Sequence, residues 1–91
     1  MIRVFWPDEV LAQVDQIIAY IDVFNPVAAR RLGDRLVALG ESLATSPRRG
    51  RPAPDGTREL VTVRPYVLRY EIQAEMVVIL HIRHSARRPA G

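Results

Sequence analysis

The 91-residue sequence contains no cysteine, and every basic side chain other than its two histidines is arginine. Without cysteine there is no disulfide, no thiolate nucleophile and no cysteine-based zinc site. Without lysine there is no amine that burial could turn into a general base or a covalent nucleophile. No apolar run approaches the ~20 residues that a membrane span needs, and the N-terminus lacks the charged-then-apolar pattern of a signal peptide. A soluble, cytoplasmic protein with no membrane partner is the expectation. Standard catalytic spacings are missing as well. Ser42, Ser46 and Ser85 have no evident base-plus-acid partners, and Gly50 and Gly56 are too isolated to form a phosphate-cradling loop. His81 and His84 stand three apart with no third imidazole and no close carboxylate, so neither a metal nor a cofactor is expected.

What is present is a positively charged chain, formally +3, of one-domain length. A single domain over residues 1–91 buries only about 60–65% of its unfolded surface, so its core is thin. Arginine forks pair bidentately with carboxylate or phosphate, which directs attention to acidic and phosphate-bearing partners.

The apolar run 2–6 is closed by Pro7 and reads as a first strand. From Asp8 the period changes. Val10, Leu11, Val14, Ile17, Ile18, Ile21 and Phe24 recur at spacings of three and four, which places them on one helical stripe. Pro7, Asp8 and Glu9 suit the start of that helix and its dipole. Asn25 is a good N-cap and Pro26 a good first residue for a second helix. That helix continues through Ala29, Leu32, Leu36, Leu39 and Leu43, with Arg30 and Asp34 spaced for an exposed pair. So short a connection requires an antiparallel hairpin.

Prolines 47, 52 and 54 exclude a regular element from 46–57, so Arg48, Arg49 and Arg51 are expected on a solvated basic loop. Strands are predicted over 58–63, 66–72 and 76–82. Residues 76–80 are apolar without alternation, as in an interior strand covered on both faces. Tyr66, Leu68, Tyr70 and Ile72 should share the core face; Val67, Arg69 and Glu71 should share the other. The predicted architecture is α+β, an N-terminal strand and an antiparallel helical hairpin packed on one face of a small, mainly antiparallel sheet. The second face would be open and half polar, carrying Arg69 and, if register holds, His81 and Arg83.

The chain ends in crowded positive charge at Arg83, His84, Arg87 and Arg88. Like charges repel, so this cluster reads as a recognition surface for a polyanion or an acidic peptide; the plainer reading is a solvated terminus. His84, as an imidazole, could act as general acid or base, or serve only in binding.

The ordered set Arg58-Glu59-Leu60, Pro65-Tyr66, Tyr70, the apolar run 77–80 and His84-Ser85-Ala86-Arg87 resembles the RelE/ParE toxins of bacterial type II toxin–antitoxin modules. That resemblance implies an acidic antitoxin partner, a toxin–antitoxin hetero-oligomer, and one of two activities. ParE-like members poison DNA gyrase by binding, whereas RelE-like members cleave mRNA on the ribosome. Metal-free RNA cleavage needs an acid/base pair together with cations for the phosphorane charge. In the ribonuclease branch an arginine follows the middle-strand tyrosine; here Val67 stands there, and a basic position before it falls on Leu60. Lysines are absent and no tyrosine follows Tyr70. Arg58, His84 and Arg87 remain as ribonuclease candidates. The expectation is therefore a ParE-like gyrase-binding toxin, with Arg58, Arg69, His81, Arg83, His84, Arg87 and Arg88 contacting target or antitoxin. A ribosome-dependent endoribonuclease and an inactive interaction module are the alternatives.

Overall fold

The computed structural model describes residues 1–86; the expectations placed on Arg87 and Arg88 lie outside the described residues. Strand β1 (Arg3–Phe5) leads into helices α1 (Asp8–Asp22) and α2 (Pro26–Glu41) and a short 3-10 turn at Ser42–Ala44. Strands β2 (Arg51–Pro52), β3 (Arg58–Leu60), β4 (Tyr66–Gln73) and β5 (Met76–His84) follow. The five strands form one sheet in the order β1-β5-β4-β3-β2, antiparallel except where β1 pairs parallel to β5.

Local chemistry explains the hairpin. Asn25 accepts the Ala28 N–H at 3.0 Å through its side chain, and Pro26 occupies the first turn, so α2 starts where the sequence predicts. The helices approach closely at Gly33, where a Cβ would lie 2.7 Å from Ile18 Cδ1. Val10 and Val14 of α1, with Leu36, Leu39 and Leu43, pack on Leu68, Tyr70, Val77, Ile79 and Ile82 of the sheet. Each large side chain fully buried there contributes about 1.5–3 kcal/mol. Tyr66 and Tyr70 are core residues as predicted. Leu11 and Phe24 are not, although their spacing put them on the stripe. Leu11 is half exposed beside the groove between the helices, and Phe24 lies beyond the end of α1.

Other details differ from the sequence prediction. The segment 61–65 leaves the sheet after Leu60, so β3 is shorter than the predicted 58–63. Pro52, which has no N–H to donate, is tolerated at the sheet edge, and a two-residue strand forms inside the expected loop. That loop is tethered rather than freely solvated. Tyr70 Oη accepts the Gly50 N–H at 2.9 Å and donates to the Pro47 carbonyl at 2.7 Å. Arg58 Nη1 donates to the carbonyls of Gly50 at 2.7 Å and Arg48 at 3.2 Å, and Arg49 donates to Ser42 Oγ at 2.7 Å. Arg30 and Asp34 are not among the ion pairs of the described residues, which lie on the sheet and on the turn between β2 and β3.

Strand β5 is interior yet covered on one face only. Val77 and Ile79 are fully buried while Met76, Val78 and Leu80 are partly exposed, because the helices cover a single face of the sheet. A bulge then changes its parity. Arg69 pairs with His81 and Tyr70 with Ile79, leaving Leu80 without a cross-strand partner. Before the bulge the odd-numbered residues face the helices; after it Ile82 does, and His81 and Arg83 turn to the open face. Beyond Val78, β1 no longer covers β5, and Gln13 of α1 accepts the Ile82 N–H at 2.9 Å in its place.

Candidate functional site

The open face of the sheet is built from alternate positions of four strands. Antiparallel register sets Arg51 opposite Glu59, Glu59 opposite Arg69, and Arg69 opposite His81. Cross-strand neighbours on one face have Cβ atoms about 4.5–5.5 Å apart, so these side chains must interact. Glu59 is the centre of the row. Its carboxylate meets Arg69 Nη2 at 2.9 Å, Arg51 Nη2 at 3.4 Å and Arg83 Nη2 at 3.6 Å, with its side chain only 12% exposed. Asp55 adds a second acid 3.7 Å from Arg69 and is oriented by Thr57, whose hydroxyl and backbone N–H donate to it at 2.6 and 3.1 Å.

The electrostatics follow from this arrangement. The hydrogen bond from Arg69, reinforced by the charges of Arg69, Arg51 and Arg83, holds the Glu59 carboxyl below its ordinary range against the opposing effect of burial. Hydrogen bonds from Thr57, with the charge of Arg69, lower Asp55. Burial, and then the guanidinium groups of Arg69 and Arg83, push His81 downward, so it stands as a neutral imidazole near pH 7.

Of the residues singled out from sequence, the structure brings Arg69, His81 and Arg83 together. Arg58 and His84 lie on the opposite side of the sheet. Arg58 pairs with Tyr70 and clips the 47–51 loop; His84 pairs with Tyr66, contacts that ring edge-to-face at 5.6 Å, and accepts the Ala86 N–H on Nδ1 at 3.1 Å. Tyr66 and Tyr70 are four residues apart on β4, which sets Arg58 and His84 about 13 Å apart along the sheet. Sequence reasoning gave no site role to Glu59 or Asp55, and placed Arg51 on a solvated loop with auxiliary nucleic-acid contact as the second reading. The signal was an acid in the short strand 58–60 facing arginines at alternate positions of its neighbours, and it emerges only once register is known. Among the described residues no three His, Asp or Glu side chains cluster so as to hold a metal ion, and no helix is long and apolar enough to cross a membrane.

A helical hairpin laid across one face of a five-stranded mixed sheet is the fold, and the matches to family and relatives make the chain a RelE/ParE-superfamily toxin. The family model for the ParE toxin of the type II toxin–antitoxin system, parDE, matches residues 4–89, and the chain belongs to that family. It is 46% identical over 87 residues to "Toxin RelE2" of Caulobacter vibrioides, covering 96% of this chain and 99% of that one. It is 38% identical over 85 residues to "Putative toxin Y4kP" of Sinorhizobium fredii, covering 91% and 88%. The fold matches a chain of the chromosomal ParDE toxin–antitoxin system from P. aeruginosa with a TM-score of 0.81 at 24% identity, covering 92% and 96%.

Proposed function

We propose that this toxin acts by occupying DNA gyrase rather than by cleaving RNA, and that an acidic antitoxin segment neutralises it. The observation that carries this reading is the Glu59 carboxylate among Arg51, Arg69 and Arg83. Guanidinium groups that could stabilise a phosphorane on this face are already engaged by the protein's own carboxylates. Arg58 and His84, two of the three ribonuclease candidates, are separated along the far side of the sheet, and Arg87 lies outside the described residues.

The hairpin supplies surface for a protein partner. Tyr20, Val23, Phe24 and Val27 are 58–80% exposed at its tip, with Tyr20 and Phe24 stacked edge-to-face at 5.5 Å. A depression of about 400 Å³ on α2, lined by Asn25, Val27, Ala28, Arg31, Leu32 and Arg35, lies beside Val27. An antitoxin helix or extended segment would bury this apolar surface, with Arg31 and Arg35 steering its acidic residues and the pair assembling as a hetero-oligomer.

The test is direct. Purified protein should inhibit supercoiling by gyrase and leave ribosome-bound mRNA intact, and cleavage of translated mRNA at low protein-to-ribosome ratios would overturn the reading. A ribosome-dependent endoribonuclease is the second reading. It is favoured by the name of the Caulobacter relative and by neutral His81 standing beside Arg69 and Arg83, an acid/base group next to cations. Under that reading His81→Ala abolishes mRNA cleavage.

A further inference from the structure

We propose that Glu59 is the specificity-determining residue that closes the open sheet face to nucleic acid. Its carboxylate takes the place among Arg51, Arg69 and Arg83 that a backbone phosphate would otherwise fill. The inference deepens the binding-toxin reading and rests on it for its biological meaning, but its physical basis is separate.

Three guanidinium groups from three different strands converge on one carboxylate at 2.9, 3.4 and 3.6 Å. Three arginines so placed are a ready phosphate site, because each fork can donate to an oxyanion and none can lose its charge. Glu59 competes for them from within. It is fixed on β3 directly across from both Arg69 and Arg51, so its effective concentration at the cluster exceeds what any free phosphate reaches. Asp55, locked by Thr57, adds further negative charge against Arg69. The fit to Glu59 is also incomplete in an informative way. Arg69 Nε is buried and has no hydrogen-bond partner, since a carboxylate shared among several arginines leaves a donor over. A tetrahedral phosphate, with more oxygens to offer, would use it. The face is thus a latent phosphate site with its own acid in the pocket, and single-stranded nucleic acid is the ligand class it excludes.

The experiment measures binding of a fluorescent oligouridylate of about 20 nucleotides to the folded full-length chain by anisotropy, across about 50–300 mM NaCl. Wild type, Glu59→Gln, Arg69→Gln and the double variant are compared, with folding checked by circular dichroism. Glu59→Gln is expected to bind at least about tenfold more tightly than wild type at about 100 mM salt. Its slope of log K against log salt should steepen by about 0.7, since one newly engaged phosphate adds roughly that much for a single strand. The double variant should lose most of that gain, and Arg69→Gln alone should leave the weak wild-type affinity unchanged. No gain in Glu59→Gln overturns the proposal, as does a tenfold loss in Arg69→Gln, which would mean that the wild-type cluster already serves nucleic acid. If Glu59→Gln fails to fold, the comparison of wild type with Arg69→Gln decides alone: equal affinity supports the proposal and a tenfold loss overturns it. Gyrase inhibition by wild type is scored separately. Its absence overturns the binding-toxin reading without touching the anisotropy result, and an unchanged Glu59→Gln overturns this inference without touching gyrase.

Discussion

Glu59 and Arg69 face each other across the β3–β4 ladder, Oε2 to Nη2 at 2.9 Å, and this contact organises the charge of the whole open face. It ties stability to pH. The folded-state pKa of Glu59 lies below its ordinary value of 4.5, so the carboxylate contributes stability that is fully present above about that value. That contribution is lost as pH falls through the lower folded value. Glu59→Gln should therefore flatten the acid limb of a stability–pH profile below about pH 4.5, leaving the slope due to Asp55. At neutral pH the same substitution should cost about 1–3 kcal/mol, because it leaves Arg69 partly buried without its charged acceptor. Urea unfolding at pH 7 and pH 3.5 measures both. Equal acid sensitivity in the two proteins would refute the assignment.

Tyr70 is fully buried, but its hydroxyl joins two loop backbone groups, the Gly50 N–H and the Pro47 carbonyl. Tyr70→Phe keeps the ring and removes the hydroxyl, which leaves both groups without their partner. The expected loss is about 1–3 kcal/mol. Amide exchange at Gly50 should accelerate, and limited proteolysis should cut within 47–52 sooner than in wild type. A variant as stable and protected as wild type would show that the Arg58 and Arg49 contacts hold the loop without the hydroxyl.

These contacts mark the boundary between what the chain discloses in sequence and what it does not. The hairpin was legible because Asn25-Pro26 combines a stop and a start in two residues, and because the leucines of α2 keep strict helical spacing. The sheet was legible from the alternation Tyr66-Leu68-Tyr70. The Leu80 bulge was not: the apolar run 76–80 has no periodicity to reveal a change of parity, so the facing of His81 and Arg83 followed only conditionally. Glu59 was hidden for a related reason. Its three arginines lie at residues 51, 69 and 83, and only strand register brings them together.

Two helical glycines separate packing from propensity. At Gly40 a Cβ would lie 2.3 and 2.5 Å from Cζ2 and Cη2 of Trp6, a rigid ring also held by its Nε1–H donating to Glu41 at 3.1 Å. At Gly33 the nearest atom is the flexible Cδ1 end of Ile18. Gly40→Ala should lose about 1–3 kcal/mol through overpacking. Gly33→Ala should fall within about 1 kcal/mol of wild type, because the gain in helix propensity offsets a small rotamer shift. With an m-value of about 1–2 kcal/mol/M, urea midpoints resolve the two. Equal effects would mean that the indole yields as easily as the isoleucine.

His84, a catalytic candidate in the sequence, stands apart from the arginine cluster. Its ring contacts Tyr66 on the side of the sheet away from Arg69, His81 and Arg83, and its Nδ1 is engaged by the Ala86 N–H. A binding toxin needs no proton from it. His84→Ala should then retain growth inhibition and gyrase inhibition, with a stability loss of about 0.5–1.5 kcal/mol from the missing aromatic contact. Induction of wild type and variant at matched protein levels, scored for DNA-damage response against translation arrest, measures the outcome. A folded His84→Ala protein that is harmless while still binding antitoxin would place this imidazole in the toxic activity itself, because a purely structural contact at the sheet's end could not remove activity and leave both fold and partner affinity intact. Cleavage of mRNA by wild type but not by the variant would make that role catalytic.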